Sequence, residues 1–362
     1  MLYKKNYKEV ISRLSELYSG EGKDRIYAVM NVPNPALNKY SKQTSGGEVS
    51  YPNLDERISF WNSYCSHYAD LNDDSIPCSY LTELDEGLYG GLLGGEVRFL
   101  NFPESGWLSS MTVPFWEDLS HAMKLTLPKP GNLWYDRMMH QMKMFGLASK
   151  GKYGCSHLIC IDVLNLLFEL RGGSNAYVDV IEEPEVTRMV FDFSVELNRM
   201  VQDAYFNTVG LFEGGTISNL LQWIPGRILS ESVDPYHMTG QNMFEEAGRE
   251  YIERLMSYYD GAAVHIHANA YGHILPYVST LKNLKAIALL DDPYNPRAID
   301  SLGTLILQCG SIPLVYVTIK FCEFLDKLKK HQLPGNVLYY VSETPSVDEA
   351  NRAMDAVRLY RV

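Results

Sequence analysis

The sequence predicts an α/β protein, a single (β/α)8 TIM barrel with an N-terminal helical extension. Three observations predict it. From residue 153 onward, short apolar strand-like runs alternate with amphipathic helical runs, the order expected of parallel strands covered by helices. The chain has 362 residues, 46% hydrophobic and 12% aromatic, enough to fill such a barrel. No glycine-rich phosphate loop follows an early strand, which counts against an open dinucleotide-binding sheet.

In chain order, residues 3–18 carry Tyr7, Val10, Ile11, Leu14 and Leu17 at helical spacing, and Ser19-Gly20 stops the run. Residues 22–52 are rich in Asn, Pro, Ser and Gly and read as a long irregular connection. The expected division is therefore an extension over 1–53 and a barrel domain over 54–362. Asp55 to Leu71 is a second helix, with Ile58, Trp61, Tyr64 and Cys65 on one side. Residues 76–112 read as short strand-like pieces separated by glycines. Residues 132–147 suit a helix whose Met138, Met139, Met142 and Met144 supply adaptable core packing. Strands are then expected near 155–161, 209–213, 226–230, 262–268, 284–290, 312–317 and 336–341. The intervening helices are expected at 163–171, 184–205, 242–258, 297–309, 319–330 and 346–359.

Composition removes several function classes. A net charge of −12 provides no basic footprint for nucleic acid. The six cysteines (65, 78, 155, 160, 309 and 322) have no Cys-x-x-Cys spacing and are too sparse for a disulfide scaffold. The first residues are polar and charged, with no signal-peptide core, and no apolar run is long enough to span a bilayer. The sequence reads as a cytoplasmic protein with a small-molecule substrate.

The most informative stretch is Ala262-Ala263-Val264-His265-Ile266-His267-Ala268-Asn269. Its period of two makes a strand with His265 and His267 on one face and Val264 and Ile266 on the other. Other polar groups recur at expected strand ends: Asp162, Glu213, Ser230, Glu231, Asp234, Asp291, Asp292, Tyr339, Tyr340 and Ser342. In a barrel, chemistry sits where strands end and helices begin.

One subset has metal-ligand chemistry. Glu231 precedes Glu246 by fifteen positions, and Glu246 precedes His267 by twenty-one. Glu231 and His267 close strands, and Glu246 falls near the start of the 242–258 helix, so all three face the same side. Two carboxylates and one imidazole would leave a fourth zinc position open, as a catalytic site requires. The rival set keeps His265 and His267 as joint ligands, completed by a carboxylate such as Asp291. In the first arrangement His265 contacts substrate or a ligand, and Asp291 or Asp292 orients the His267 ring.

Several phrases resemble the uroporphyrinogen decarboxylase superfamily, in the order found there. They are IPCSYLTELDEGLYGGLLGG (76–95), DVLNLLFELRGGSNAYVDVIEEPEV (162–186), the run from Gln222-Trp223 to Ser232, and HIHANA (265–270). The Leu-Arg-Gly-Gly turn, a short strand-like stretch with Asp179, and Glu-Glu-Pro-Glu at a helix start are especially similar. So is the ending Val341-Ser342-Glu343-Thr344-Pro345-Ser346 before an Asp-Glu-Ala helix. The resemblance spans residues 54–360 and implies a (β/α)8 barrel. The arginine-rich Met-Arg-Gln-Ala-Gly-Arg motif of genuine decarboxylases is missing, and 27–40 read YAVMNVPNPALNKY instead.

The other branch of that superfamily comprises zinc-dependent methyltransferases that exchange a methyl group with a corrinoid. Its coenzyme M enzymes use a His-x-Cys strand and a distant second cysteine; here the strand is His265-x-His267, and neither Cys309 nor Cys322 takes the matching position. The Glu–Glu–His spacing looks like the zinc motif of the O-demethylase methyltransferases. That resemblance implies zinc (Zn2+) on Glu231, Glu246 and His267, a small methylated donor such as a phenyl methyl ether, and a corrinoid carried by a partner protein. His265 and Asp291 are the expected catalytic groups, and Asp85, Trp223, Asp234 and Tyr340 the expected substrate contacts. Trp107, Phe115-Trp116 and Tyr236 could add an apolar wall. The alternatives are a metal-free decarboxylase anchored by Asp85 or Asp291, or a non-catalytic barrel in a corrinoid complex.

Overall fold

A computed structural model describes residues 1–81 and 84–362. Thr82 and Glu83, part of the 76–95 phrase, lie outside the described residues. Six parallel strands form the main sheet, in the order Ile26–Met30, Val337–Ser342, Leu314–Lys320, Leu284–Leu290, Gly261–His267 and Ile228–Glu231. Beyond the last strand, Ile159 bridges Ser230 in parallel, and the Cys160 N–H donates to the Ser230 carbonyl at 2.8 Å. Gly154–Cys155 pairs in parallel with Cys78–Ser79. At the other edge, the Asp74 N–H donates to the Ala28 carbonyl at 2.9 Å.

Side chains along these strands alternate between two cores. Ala28, Met30, Val264, Ile266, Ile287, Leu289, Val317 and Val341 pack against the covering helices. Tyr27, Val29, Ala263, Ala286, Ala288, Val315 and Leu338 form a second cluster with Val10, Leu14 and Leu17 of the helix Tyr7–Ser19. Burial on both faces is what a parallel sheet requires. The second face changes character along three of the strands: Ile228 is followed by Ser230, Ala263 by His265 and His267, and Leu338 by Tyr340. In these strands apolar residues fill the N-terminal ends and polar ones collect at the C-terminal ends.

The helices follow local signals. Asn53, Asn132, Asp162 and Ser346 each accept backbone N–H groups at the starts of Leu54–Ser66, Leu133–Ser149, Val163–Arg171 and Val347–Leu359. Pro184 opens Pro184–Thr208, and the remaining expected helices form as Ala298–Cys309 and Phe321–Lys329. No helix among the described residues is long and apolar enough to cross a membrane.

Five expectations are corrected. Residues 22–52 are not simply irregular: they contain the sheet strand Ile26–Met30, the helix Pro35–Gln43 and the short strand Gly47–Val49. The stretch after Leu-Arg-Gly-Gly is a helix, Gly173–Glu182, and its Asp179 pairs with Arg171 at 2.6 Å. The strand expected at 209–213 reduces to one bridge, Phe212 to Gly215, leading into the hairpin Gly215–Ser218 with Gln222–Pro225. Within 76–112, Gly87, Gly90 and Gly91 lie in the helix Gly87–Leu92 rather than between strands, and the hairpin Val97–Phe102 with Trp107–Thr112 follows.

The fifth correction bears on the site. The helix expected over 242–258 is two helices, Gln241–Ala247 and Arg249–Met256, broken at Gly248. Tyr236 lies against the break, its hydroxyl donating to the Ala247 carbonyl at 3.0 Å. A Cβ at position 248 would come within 2.8 Å of the Tyr236 ring and 2.9 Å of the Phe244 carbonyl oxygen. Only glycine admits that approach.

Candidate functional site

The parallel register sets the site. Val264 pairs with Glu231, which brings the end of Ile228–Glu231 beside His265. The chain then turns through Asp234, the first residue of a short 3-10 helix, Asp234–Met238. Asp234 Oδ1 lies 3.2 Å from His265 Nε2 and 3.8 Å from His267 Nε2. One ligand atom from each of Asp234, His265 and His267 lies within 4.8 Å of the other two. Yet Asp234 Oδ1 is buried without a hydrogen-bond partner in good geometry. The three groups converge, with Asp234 and His265 forming an ion pair.

His267 is oriented from behind. Its Nδ1 lies 2.7 Å from Asp292 Oδ1, and Asp292 Oδ2 accepts the Ala268 N–H at 3.1 Å. With the Nδ1 proton given to Asp292, the Nε2 lone pair points to the Asp234 side, the arrangement typical of a metal-binding histidine. Asp292, rather than Asp291, makes this contact. Asp291 instead accepts the Ala298 N–H at 2.7 Å, at the first turn of Ala298–Cys309.

Carboxyl groups crowd around the histidines. Glu231 is 1% exposed, and burial pushes its carboxyl up to about 8 against the opposing influence of the Ser232 backbone, His265 and Cys160. Asp162 caps Val163–Arg171 with one oxygen and leaves the other unpartnered; burial raises it well above the usual carboxylate range. Glu86 accepts from Asn165 at 3.0 Å and is pushed up to about 8 by burial and then by Asp85. Asp85 accepts from Ser109 at 2.8 Å and rises to about 6, again through burial. Burial opposes ionisation of Asp234 too, but His265, His267 and His237 hold it below the usual range. Burial likewise opposes the His265 charge, and Asp234, Glu86 and Glu231 overcome it. His237 is pushed down to about 4 by burial, and its ring lies 5.4 Å from that of His267.

Not every expected site residue joins this group. Glu246 sits late in Gln241–Ala247 and is exposed; the break at Gly248 removes the long helix whose first turn was to present it. Trp223 is buried in the apolar cluster near Tyr7–Ser19, its indole N–H donating to the Phe212 carbonyl at 2.7 Å. Tyr340 lies in an aromatic chamber at the strand ends, and Asp85 lines a small adjoining cavity. Asp234, expected to touch substrate, is the carboxylate that lies within 4 Å of both histidines. Glu86 was not singled out from sequence, and His237 carried only the weak signal of lying three residues after Asp234.

No protein-family model matches the chain. No curated protein matches it in sequence. Among solved structures, a methyltransferase from Methanosarcina mazei is similar over 97% of this chain and 98% of its own, with a TM-score of 0.62 and 12% sequence identity. At that identity the likeness establishes the fold: an α/β protein with a parallel sheet and many helices.

Proposed function

We propose that this chain is a zinc-dependent methyltransferase of the uroporphyrinogen decarboxylase superfamily, working in the cytoplasm with a corrinoid protein as methyl acceptor. In this proposal, the hydrogen bonds linking the sheet edges through 154–160 and 73–79 complete a (β/α)8 barrel. The structural likeness to the Methanosarcina mazei methyltransferase supports the fold part. The observation that carries the functional part is the convergence of one ligand atom each from Asp234, His265 and His267 to within 4.8 Å of one another.

The donor set fits the metal. Two imidazole nitrogens and a carboxylate oxygen are borderline ligands that suit zinc, and Asp292 supports one of them from behind. The ligands proposed here are therefore Asp234, His265 and His267. Glu231 is close enough to His265 to interact electrostatically and supplies a further buried carboxyl. When bound, zinc would act as a Lewis acid on the donor, neutralising charge on the group that loses the methyl. The chain's own residues hold the ligand rings in place and exclude water through the buried Glu231 and Tyr236. Exposure of Glu246 removes the spacing on which an aryl-ether donor rested, so the donor is proposed only as a small methylated compound. The acid-rich surroundings disfavour the anionic substrate of a decarboxylase.

Elemental analysis of protein purified without chelator and supplied with zinc tests this. One zinc per chain is expected, with His267→Ala losing it and losing methyl transfer to cob(I)alamin while the circular dichroism is kept. Asp292→Asn should weaken zinc binding roughly 10- to 100-fold. Wild-type protein that binds no stoichiometric zinc would overturn the proposal.

A further inference from the structure

A cavity of about 290 Å3 opens among the ends of Ile26–Met30, Cys78–Ser79, Leu314–Lys320 and Val337–Ser342. Its wall is dominated by aromatic rings: Tyr64, Tyr68, Tyr80, Trp107, Tyr316 and Tyr340. Among the described residues that line it, the one acidic or basic side chain is Glu104. The Tyr80, Tyr316 and Tyr340 hydroxyls make no hydrogen bond among the described residues, so these rings are not there to satisfy buried partners.

The backbone is distorted to build this wall. Tyr316 has φ of 61°, in the left-handed region that a bulky residue seldom adopts. It sits at a register shift between Val315 and Val317, where a bulge re-aims a side chain. The result places the Tyr316 ring against Tyr340, with centroids 4.7 Å apart and planes 19° apart. Strain of this kind persists where the surroundings hold it, and it concentrates at ligand sites.

The chamber adjoins the candidate metal centre. Tyr80, Trp107 and Asn219 also line a small neighbouring cavity that contains Asp85, and Asp85 interacts electrostatically with His265. Tyr340 lies on the same face of the sheet as Leu338, the face that also carries Ala263 and therefore His265 and His267.

Several ring faces, a carboxylate and no cation make a site for positive charge. A cation over aromatic faces is attracted by their quadrupoles, most strongly when it is weakly hydrated. An anionic ligand would meet Glu104 with no compensating charge. A neutral aryl ring would need a slot between two faces, and the near-parallel pair Tyr316–Tyr340 is already in mutual contact. We infer that this chamber binds the methylated ammonium head of a small cationic molecule. This binding does not rest on the proposed methyltransferase function.

Calorimetric titration of the full-length protein with choline, at fixed ionic strength, tests the inference. The neutral isostere 3,3-dimethylbutan-1-ol and the aryl ether anisole are titrated in parallel. Choline should bind at least tenfold more tightly than either. Tyr340→Leu and Tyr316→Leu should each weaken choline about tenfold, while Tyr340→Phe, which keeps the ring, should stay within about twofold. Glu104→Gln, at an exposed position, should weaken choline about two- to threefold and leave the neutral isostere unchanged, whatever the folding of the leucine variants. Equal affinity for choline and its isostere, or binding of anisole alone, would overturn the inference. Zinc content measured on the same samples separates the two proposals: choline binding without zinc defeats only the methyltransferase, and zinc without choline binding defeats only the cation chamber.

Discussion

Two buried charged clusters of this protein are built on opposite terms. Beside the strand Ile26–Met30, Asp73 Oδ1 accepts from Lys4 at 2.5 Å and from the Ser75 hydroxyl at 2.6 Å, and its Oδ2 accepts the Met30 N–H at 2.7 Å. Asp74 accepts from Arg13 at 2.6 Å and from the Ala28 N–H at 2.9 Å. The two side chains act as a surrogate strand, taking backbone donors that a neighbouring strand would otherwise take. At Glu231 and Asp234, by contrast, buried carboxyl oxygens lack well-formed hydrogen bonds among the described residues, and Asp234 faces only histidine nitrogens at 3.2 Å and beyond. Burying polar groups without good hydrogen bonds costs free energy, a cost that a ligand bound at the second cluster would offset. A fully paired cluster signals architecture. An unpaired one signals a ligand.

Mutation should separate the clusters by sign as well as size, and this is the largest expected effect. Asp73→Ala strands Lys4, which is 0% exposed, and Asp74→Ala strands Arg13. Removing one partner of a buried ion pair costs about 3–5 kcal/mol, read from urea unfolding. Glu231→Gln removes a buried carboxyl that has no ion pair or well-formed hydrogen bond to lose, only weak interactions with the Ser232 backbone, His265 and Cys160. In metal-free protein its stability should stay within about 1 kcal/mol of wild type or rise. A loss at Glu231 as large as that at Asp73 would dissolve the contrast.

His157 provides an intermediate case, paired on one side and not the other. The Ser230 N–H donates to its Nε2 at 2.8 Å, which leaves the proton on Nδ1, buried without a partner. Burial pushes its pKa down from 6.5 to about 3. The unfolded chain therefore takes up this proton first as pH falls. Stability is whole above pH 6.5 and erodes between about 6.5 and 3, by at most ~1.4 kcal/mol per pH unit from this group. His157→Gln should flatten that part of the melting-temperature profile below pH 6.5. An unchanged slope would mean that His157 does not govern acid lability.

What could be read from sequence was what is local. The alternation Ala263 to His267 fixes a strand and a shared face for both histidines without any partner. Cap residues such as Asp162 and Ser346 mark helix starts for the same reason. The strand Ile26–Met30 escaped because its identity is non-local: it pairs with Val337–Ser342, more than 300 residues away, and with the side chains of Asp73 and Asp74. The role of Asp234 depends on the register of Val264 with Glu231, which periodicity cannot supply. Helical spacing over 242–258 was equally blind to Tyr236, the residue that requires glycine at 248.

That blindness leads to the smallest effect, a near-zero that discriminates sharply. The Glu231–Glu246–His267 spacing and the Asp234–His265–His267 geometry share His267 but disagree about Glu246. Its side chain is exposed near the end of Gln241–Ala247, and no ligand atom of it belongs to the cluster at His265. An exposed polar substitution away from caps and pairs changes stability by no more than about 0.5 kcal/mol. Glu246→Gln should therefore leave unfolding, zinc content and methyl transfer at wild-type levels, whereas Asp234→Asn should lower zinc affinity at least tenfold. If Glu246→Gln loses zinc and Asp234→Asn keeps it, the short helix must swing inward when metal binds. The break at Gly248 would then be the hinge, and the spacing in the sequence a better guide to the ligands than the arrangement around Asp234.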